Sequence, residues 1–225
     1  MTKFNLDALN ESFPDWRKFL QLKHFYGGSE FGENWFSYLN LYREMVDTFP
    51  SGSHFVEIGS WKGKSAVAMA VEIINSGKQI YFDCVDPWYD RVEDESEEYF
   101  KNYNTGYDNR VDSLYETFLK NIDPVREYIT PMRMTSMEAV ELYEDESLDF
   151  VFIDGNHEYE YVNEDIQKWL PKIRSGGVLA GHDYSSEPVS LAVENNGLGN
   201  LVEMKDECWV HYKPIELAPN QIIYL

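Results

Sequence analysis

With 225 residues, of which 43% are hydrophobic, the chain is long enough to bury one well-filled core, and we expect a single α/β domain. Its 19 basic and 40 acidic residues give a formal net charge of -21, which argues against nucleic acid and anionic membranes as partners. Two cysteines outside any CxxC pair, with no apolar leader or membrane span in the sequence, predict a cytoplasmic protein.

The first predicted elements follow each other closely. Residues 54–60 form an apolar run typical of a buried strand, and residues 64–77 have the spacing of a helix closed by Gly77. Residues 79–86 predict a second buried strand that ends on an acid.

The alternation continues through the second half of the chain. Residues 128–134 predict a weaker strand, and a short helix follows with Ser136 as its N-cap. The remaining predicted elements are a strand at 148–154, a helix at 159–173, a strand at 178–183 and a hairpin at 201–214.

Strands that alternate with helices indicate a parallel sheet with helices on both faces. The sequence therefore predicts an α/β fold: a Rossmann-like doubly wound sheet, mostly parallel, with a C-terminal antiparallel hairpin.

Two segments stand outside this alternation. Residues 1–50 are expected to form an N-terminal helical lead-in or lid before a main domain at 51–225, and an acidic, aromatic insertion is expected at about 87–118. Aromatic residues are concentrated at 25–42 and again at 81–118, which favours packed core or a flap over ligand contacts.

Polar side chains are found at or just after the carboxyl ends of the predicted strands. Right-handed crossovers place these ends on one edge of a parallel sheet, where such folds bind ligands. The sequence thus predicts a single site that contains Glu57, Asp86, Asp154, His182 and Asp183.

The first strand ends in a glycine-containing turn, Glu57 to Gly63. Its glycines allow a close approach of the backbone to a ligand, and the next helix offers free N–H groups to a carboxylate, although an ordinary tight turn is the alternative. Trp61 stands where the dinucleotide fingerprint requires glycine, and Ile58 where a phosphate-binding loop does, so the sequence excludes both patterns.

Asp86 ends the second predicted strand. An acid at this position can bind both hydroxyls of a ribose, while capping of a helix that begins at Pro87 is the alternative.

Two short motifs follow neighbouring strands, Asp154 to His157 and Gly181 to Asp183. Asp154, His182 and Asp183 offer two carboxylates and an imidazole to one divalent ion, and this donor set suits Mg²⁺ or Mn²⁺. His157 is a candidate base for a substrate hydroxyl. Helix capping by Asp154 and hydrogen bonds from the histidines to loop carbonyls are the alternatives.

The segments FVEIGSWKGKSA, VDPW and 148–184 resemble class I methyltransferases of the macrocin and sugar O-methyltransferase type, which are distantly related to the catechol O-methyltransferases. The resemblance covers roughly residues 53–213. It implies S-adenosylmethionine as the cofactor and methyl transfer to a small molecule, with homo-oligomer formation left open.

The resemblance also implies roles for individual residues. Those that would hold the methionine part of the cofactor are Glu57, Gly59, Ser60, Trp61 and Gly63, with Asp154 close by. Asp86 would bind the ribose, and Ser136 and Met137 the adenine. Asp154 and Asp183 match metal ligands of the metal-dependent relatives, and Asp154 and His157 form the expected catalytic pair, with His157 as the base.

One position departs from the family pattern. The residue before Asp183 is commonly acidic in metal-dependent relatives and is His182 here, which reduces the negative charge offered to a hard cation. The sequence therefore favours a metal-assisted O-methyltransferase that acts on a hydroxylated metabolite such as a sugar. A metal-free enzyme with His157 as its base and a non-catalytic module that binds the cofactor or a glycan are the alternatives.

Overall fold

The computed structural model describes residues 36–88 and 113–215. Its strands are β1 His54–Ile58, β2 Tyr81–Val85, β3 Thr130–Met132, β4 Leu148–Ile153, β5 Ile173–Gly181, β6 Val202–Lys205 and β7 Cys208–Tyr212. Its α-helices are α1 Leu39–Thr48, α2 Lys64–Ser76, α3 Ser113–Ile122, α4 Ser136–Val140, α5 Tyr159–Trp169 and α6 Glu187–Asn195. Short 3-10 helices span Asp123–Tyr128 and Leu170–Lys172.

These strands form one seven-stranded sheet in the order β3-β2-β1-β4-β5-β7-β6. Pairs among β1 to β5 are parallel, whereas β7 pairs antiparallel with both β5 and β6. The chain leaves β1 toward β2 and later returns to its other side as β4, so the strand order reverses between β1 and β4. This topology confirms the predicted fold class and places the switch point at the carboxyl ends of β1 and β4.

Helices cover both faces of the sheet. Alternate side chains of β1 and β4, such as Phe55 and Phe150, pack with α1, α2 and α3 in one apolar cluster. Their neighbours, such as Val56 and Val151, pack with α4, α5 and α6 in a second cluster. Because side chains on both faces of these strands are buried, most of their residues are apolar, which explains the continuous apolar runs in the sequence.

Three predicted details are wrong. The helix expected at 159–173 ends at Trp169, because Pro171 cannot continue an α-helix, and β5 begins at Ile173 rather than at residue 178. A register shift between Leu148 and Phe150 accommodates this longer strand. The N-cap of α4 is Thr135, whose side chain accepts a hydrogen bond from the Glu138 amide in a capping box.

The lead-in and the insertion are described only in part. Helix α1 belongs to the predicted N-terminal segment, and residues 1–35 lie outside the described residues. Of the predicted insertion, residues 89–112 also lie outside them, while 113–118 begin α3, whose Phe118 is fully buried. Helix α6 was not predicted. Among the described residues, no helix has the length and apolarity needed to cross a bilayer.

Backbone hydrogen bonds join the carboxyl end of β1 to those of β4 and β2. Asp154 N donates to Ile58 O at 2.8 Å, and Gly59 N donates to Val85 O at 2.9 Å. A Cβ at Gly59 would stand 2.1 Å from the carbonyl oxygen of Asp154, and the residue has φ +85. Glycine is therefore required here for both conformation and space.

Gly59→Ala should lower the free energy of unfolding by about 3 kcal/mol or more, because it adds a backbone clash to the cost of a positive φ. Gly52→Ala is the matched control: Gly52 has φ +94, but a Cβ there has nothing within 4 Å. The control should lose only about 1–2 kcal/mol. Urea unfolding followed by circular dichroism measures both, and equal losses would contradict the account.

Candidate functional site

The turn after β1 is built around Glu57. This carboxylate is fully buried, and it accepts hydrogen bonds from the Ser60 hydroxyl at 2.6 Å and from the Tyr42 hydroxyl at 2.5 Å. The hydroxyl of Ser65, in the first turn of α2, also bonds to it. Burial raises the pKa of Glu57 to about 7 despite these three donors.

Asp86 holds the same turn from the end of β2. Its Oδ2 accepts from the amides of Ser60 and Trp61 at 3.0 and 2.9 Å, and its Oδ1 from the amide of Trp88 at 2.6 Å. Trp61 and Trp88 have φ values of 43 and 45, a conformation that costs energy for bulky residues. The Asp86 carboxylate therefore stabilises two strained backbones. Its bond to the Trp88 amide has the spacing of the capping alternative, whereas neither ribose binding nor helix capping anticipates its bonds to the amides of Ser60 and Trp61.

Asp154, His182 and Asp183 converge beside this turn, as the sequence predicted for strand ends at one edge. Each offers one ligand atom, and these atoms lie within 4.8 Å of one another. His182 Nδ1 lies 3.1 Å from Asp183 Oδ2 and 3.7 Å from Asp154 Oδ1. Asp183 adopts φ 55, a left-handed conformation that Asp and Asn tolerate better than most residues.

His157 contacts the same two carboxylates. Its Nε2 lies 2.9 Å from Asp183 Oδ2 and 3.6 Å from Asp154 Oδ1. Hydrogen bonding to Asp154 and Asp183 raises the pKa of His157 to about 10, and the two imidazoles hold the pKa of Asp183 below its usual range. The predicted base is thus a cation at neutral pH in this arrangement.

Ser136, one of the two predicted adenine contacts, already forms hydrogen bonds with other side chains. The Ser136 hydroxyl donates to Asp165 Oδ1 and accepts from Trp169 Nε1 at 2.7 Å. Burial raises the pKa of Asp165 to about 6. Helix α5 therefore engages the Ser136 hydroxyl, while the half-buried side chain of Met137 lies beside it at the start of α4.

Sequence reasoning missed the tyrosines at the start of α1. Tyr38 and Tyr42 are 2% and 0% exposed, and the Tyr38 hydroxyl donates to Asp154 Oδ2 at 2.6 Å. Their spacing of four residues is the available signal, because residues four apart share a helix face. Ser65, which bonds to both Tyr38 and Glu57, was missed as well.

The raised pKa of Glu57 has a consequence for stability. Between pH 4.5 and about 7, the folded chain keeps a proton on Glu57 that the unfolded chain has released, so its contribution to stability falls as the pH rises. Glu57→Gln removes this dependence. From pH 5 to pH 8, the unfolding free energy of the wild type should fall relative to that of Glu57→Gln by about 2–3 kcal/mol.

Urea unfolding of both proteins across this pH range measures the difference in their unfolding free energies. Groups that titrate alike in both proteins cancel in this difference. Parallel stability curves for the two proteins would contradict the burial of a titrating carboxyl at this position.

Comparison with known proteins identifies the domain and its fold. Residues 56–184, more than half of the chain, match the model of a family described as a methyltransferase domain. The structure of the O-methyltransferase NovP is 18% identical, with a TM-score of 0.56 over 79% of this chain and 80% of that one. A candidate caffeoyl-CoA O-methyltransferase from Staphylococcus aureus is 13% identical, with a TM-score of 0.52 over 94% of this chain and 93% of that one.

A curated relative, the uncharacterized protein y4gI of Sinorhizobium fredii (strain NBRC 101917 / NGR234), is 38% identical over 52 residues. The match covers 23% of this chain and only 6% of that protein. The solved structures share the fold, and the family match identifies the domain, which confirms the prediction of a class I methyltransferase. The chain belongs to the methyltransferase-domain family.

Proposed function

We propose that this protein is an S-adenosylmethionine-dependent O-methyltransferase that methylates a hydroxyl group of a sugar or another small metabolite with the help of a divalent metal ion. The observation that carries the proposal is the cluster of Asp154, His182 and Asp183 beside the turn after β1. In a methyltransferase domain, a cation-binding cluster next to the cofactor turn favours a substrate oxygen as the acceptor, because hard cations bind oxygen.

The edge of the sheet suits the cofactor chemically. S-adenosylmethionine supplies a methyl group on a positively charged sulfur and carries an ammonium group as well. The buried Glu57 and the half-buried Asp86 match these charges. Gly59 and Gly63 let the turn pack closely against Asp154 and Phe118. In the proposal Ser60 and Trp61 complete the methionine site, Asp86 holds the ribose, and Ser136 and Met137 face the adenine.

The donor set also fits a small divalent ion. Mg²⁺ at its usual ligand distance of about 2.1 Å separates neighbouring ligand atoms by about 3 Å and opposite ones by about 4 Å. The 3.1 and 3.7 Å separations around His182 Nδ1 lie in this range. Mg²⁺ or Mn²⁺ would lower the pKa of the substrate hydroxyl and orient it.

His157 acts as the proton acceptor in this proposal. Its raised pKa arises from Asp154 and Asp183, the two carboxylates that the cation also requires. When these carboxylates bind a cation instead, His157 loses the partners that hold its proton and regains its ordinary basicity. Its side chain is half exposed and thus reachable by an acceptor.

The remaining parts of the proposal concern partners and location. We propose a small hydroxylated substrate, a cytoplasmic protein and a homo-oligomer as one form of assembly. The metal-free enzyme with His157 as its base is the second candidate, because His157 already pairs with both carboxylates without a cation. It would act as a base only after losing the proton that these carboxylates hold. A non-catalytic module that binds the cofactor or a glycan would keep the cofactor site but show no methyl transfer to any acceptor.

Asp86→Ala should weaken binding of S-adenosylhomocysteine at least about 10-fold, because charged hydrogen bonds to the ribose and the order of the turn are both lost. Isothermal titration measures the affinity. Asp145→Ala is the control, since Asp145 is 70% exposed and forms a surface ion pair with Lys172. Unchanged affinity in Asp86→Ala would contradict the proposed cofactor site.

Asp183→Asn should weaken Mn²⁺ binding by at least about 100-fold, more than the loss typical of outer contacts to a metal site. Asparagine keeps the tolerance for a left-handed backbone, so the fold should remain intact. Mn²⁺ titration followed by electron paramagnetic resonance measures the affinity, with Asp145→Asn as the control. If Asp183→Asn binds Mn²⁺ as the wild type does, the metal site lies elsewhere.

A further inference from the structure

The segment that precedes α1 crosses the proposed metal site. Tyr38 is buried, and its ring packs against His182 with a centroid distance of 4.9 Å and against Phe152 of β4 at 4.5 Å. Phe36 meets the Tyr38 ring edge-on at 4.7 Å. With neighbours on several sides, the Tyr38 ring has little freedom to turn.

The Tyr38 hydroxyl fixes one oxygen of a proposed ligand. It donates to Asp154 Oδ2 at 2.6 Å, and this bond leaves the other oxygen, Oδ1, to face the cluster. Asp154 Oδ1 is the atom that lies 3.7 Å from His182 Nδ1 and 3.6 Å from His157 Nε2. The Tyr38 hydroxyl thus determines which oxygen of Asp154 faces the proposed cation site.

Ser37 fixes the second ligand. Its Oγ lies 3.1 Å from His182 Nε2 and donates to the carbonyl oxygen of Asp206 at 3.2 Å. A hydroxyl has one hydrogen and a carbonyl can only accept, so Ser37 Oγ accepts from Nε2–H of His182. The nitrogen left without a proton in the neutral ring is Nδ1, which faces Asp183 Oδ2 and Asp154 Oδ1.

A ring nitrogen that faces two carboxylate oxygens can share a proton or a cation with them, and Nδ1 is the nitrogen of His182 that a cation can use because Nε2–H donates to Ser37. Metal-ligating histidines usually donate their other ring N–H to a fixed acceptor, which sets the tautomer and the ring orientation. Ser37 takes that role here, and Asp206 in the turn between β6 and β7 holds Ser37 in place.

We propose that Tyr38 and Ser37 are positioning residues that set the Asp154 carboxylate and the His182 imidazole for a divalent cation, which makes the segment before α1 a determinant of metal affinity. This inference rests on the proposed metal-assisted function. To the proposed metal site, the inference adds two side chains that form hydrogen bonds with the metal ligands.

The test is Mn²⁺ titration of the full chain in the absence of S-adenosylhomocysteine, read by electron paramagnetic resonance. Tyr38→Phe keeps the ring and removes only the hydroxyl, and it should weaken Mn²⁺ binding about 10–100-fold. Tyr42→Phe is the matched control, because the Tyr42 hydroxyl donates to Glu57 and not to a proposed ligand. Its Mn²⁺ affinity should stay within about 3-fold of the wild type, which corresponds to less than about 0.7 kcal/mol.

Ser37 gives a second test that does not depend on a buried residue. Ser37 is exposed, so Ser37→Ala should fold as the wild type does, yet it should bind Mn²⁺ about 10-fold or more weakly. Ser37→Thr retains the hydroxyl and should restore the affinity, which a merely structural role of the residue would not predict.

The outcomes separate the two proposals. If the wild type binds no Mn²⁺, the metal-assisted function is wrong and the positioning roles are wrong with it. If the wild type binds Mn²⁺ and both Tyr38→Phe and Ser37→Ala bind it equally well, the metal site stands and the positioning roles are overturned. Loss of affinity in both variants, with rescue by Ser37→Thr, supports the inference.

Discussion

Four carboxylates, Glu57, Asp86, Asp154 and Asp183, gather at one edge of the sheet, and their charge is the constraint on which the site depends. Burial raises the pKa of Glu57 to about 7 and also raises that of Asp86, which shows the cost of an anion in this environment. The protein offsets this cost with tyrosine hydroxyls, backbone amides and two imidazoles. The same negative environment suits a cationic cofactor and a divalent ion. The clustered carboxylates therefore both oppose folding and support the proposed function.

This constraint also explains why an element outside the strand–helix alternation takes part in the site. Helix α1 places the Tyr42 hydroxyl against Glu57, and Tyr38, the residue just before the helix, donates to Asp154. Each hydroxyl satisfies a carboxylate oxygen that would otherwise be buried without a partner on that side. On this view the N-terminal segment completes the charge balance of the site as well as covering one face of the sheet.

Much of the fold and part of the site could be predicted from the sequence. Apolar runs fixed the approximate strands, and the acids at their ends were expected at one edge because parallel strands place their carboxyl ends together. Long-range hydrogen bonds could not be predicted in this way. Asp86 bonds to amides that lie 26 and 25 residues earlier in the chain. Ser136 bonds to Asp165 and Trp169, which are brought near it only by the packing of α4 against α5. The early start of β5 likewise depends on its pairing with β4.

The most direct test of the central claim is a crystal structure of the protein grown with Mn²⁺ and S-adenosylhomocysteine, with anomalous diffraction used to locate the manganese. We predict an anomalous peak bound by Asp154 Oδ1, His182 Nδ1 and Asp183 Oδ2, with the cofactor product lying along the turn from Glu57 to Gly63. Cofactor product in that turn without manganese at the cluster would leave a methyltransferase that does not use the metal. Manganese bound elsewhere, or cofactor product outside the turn, would contradict the proposed site.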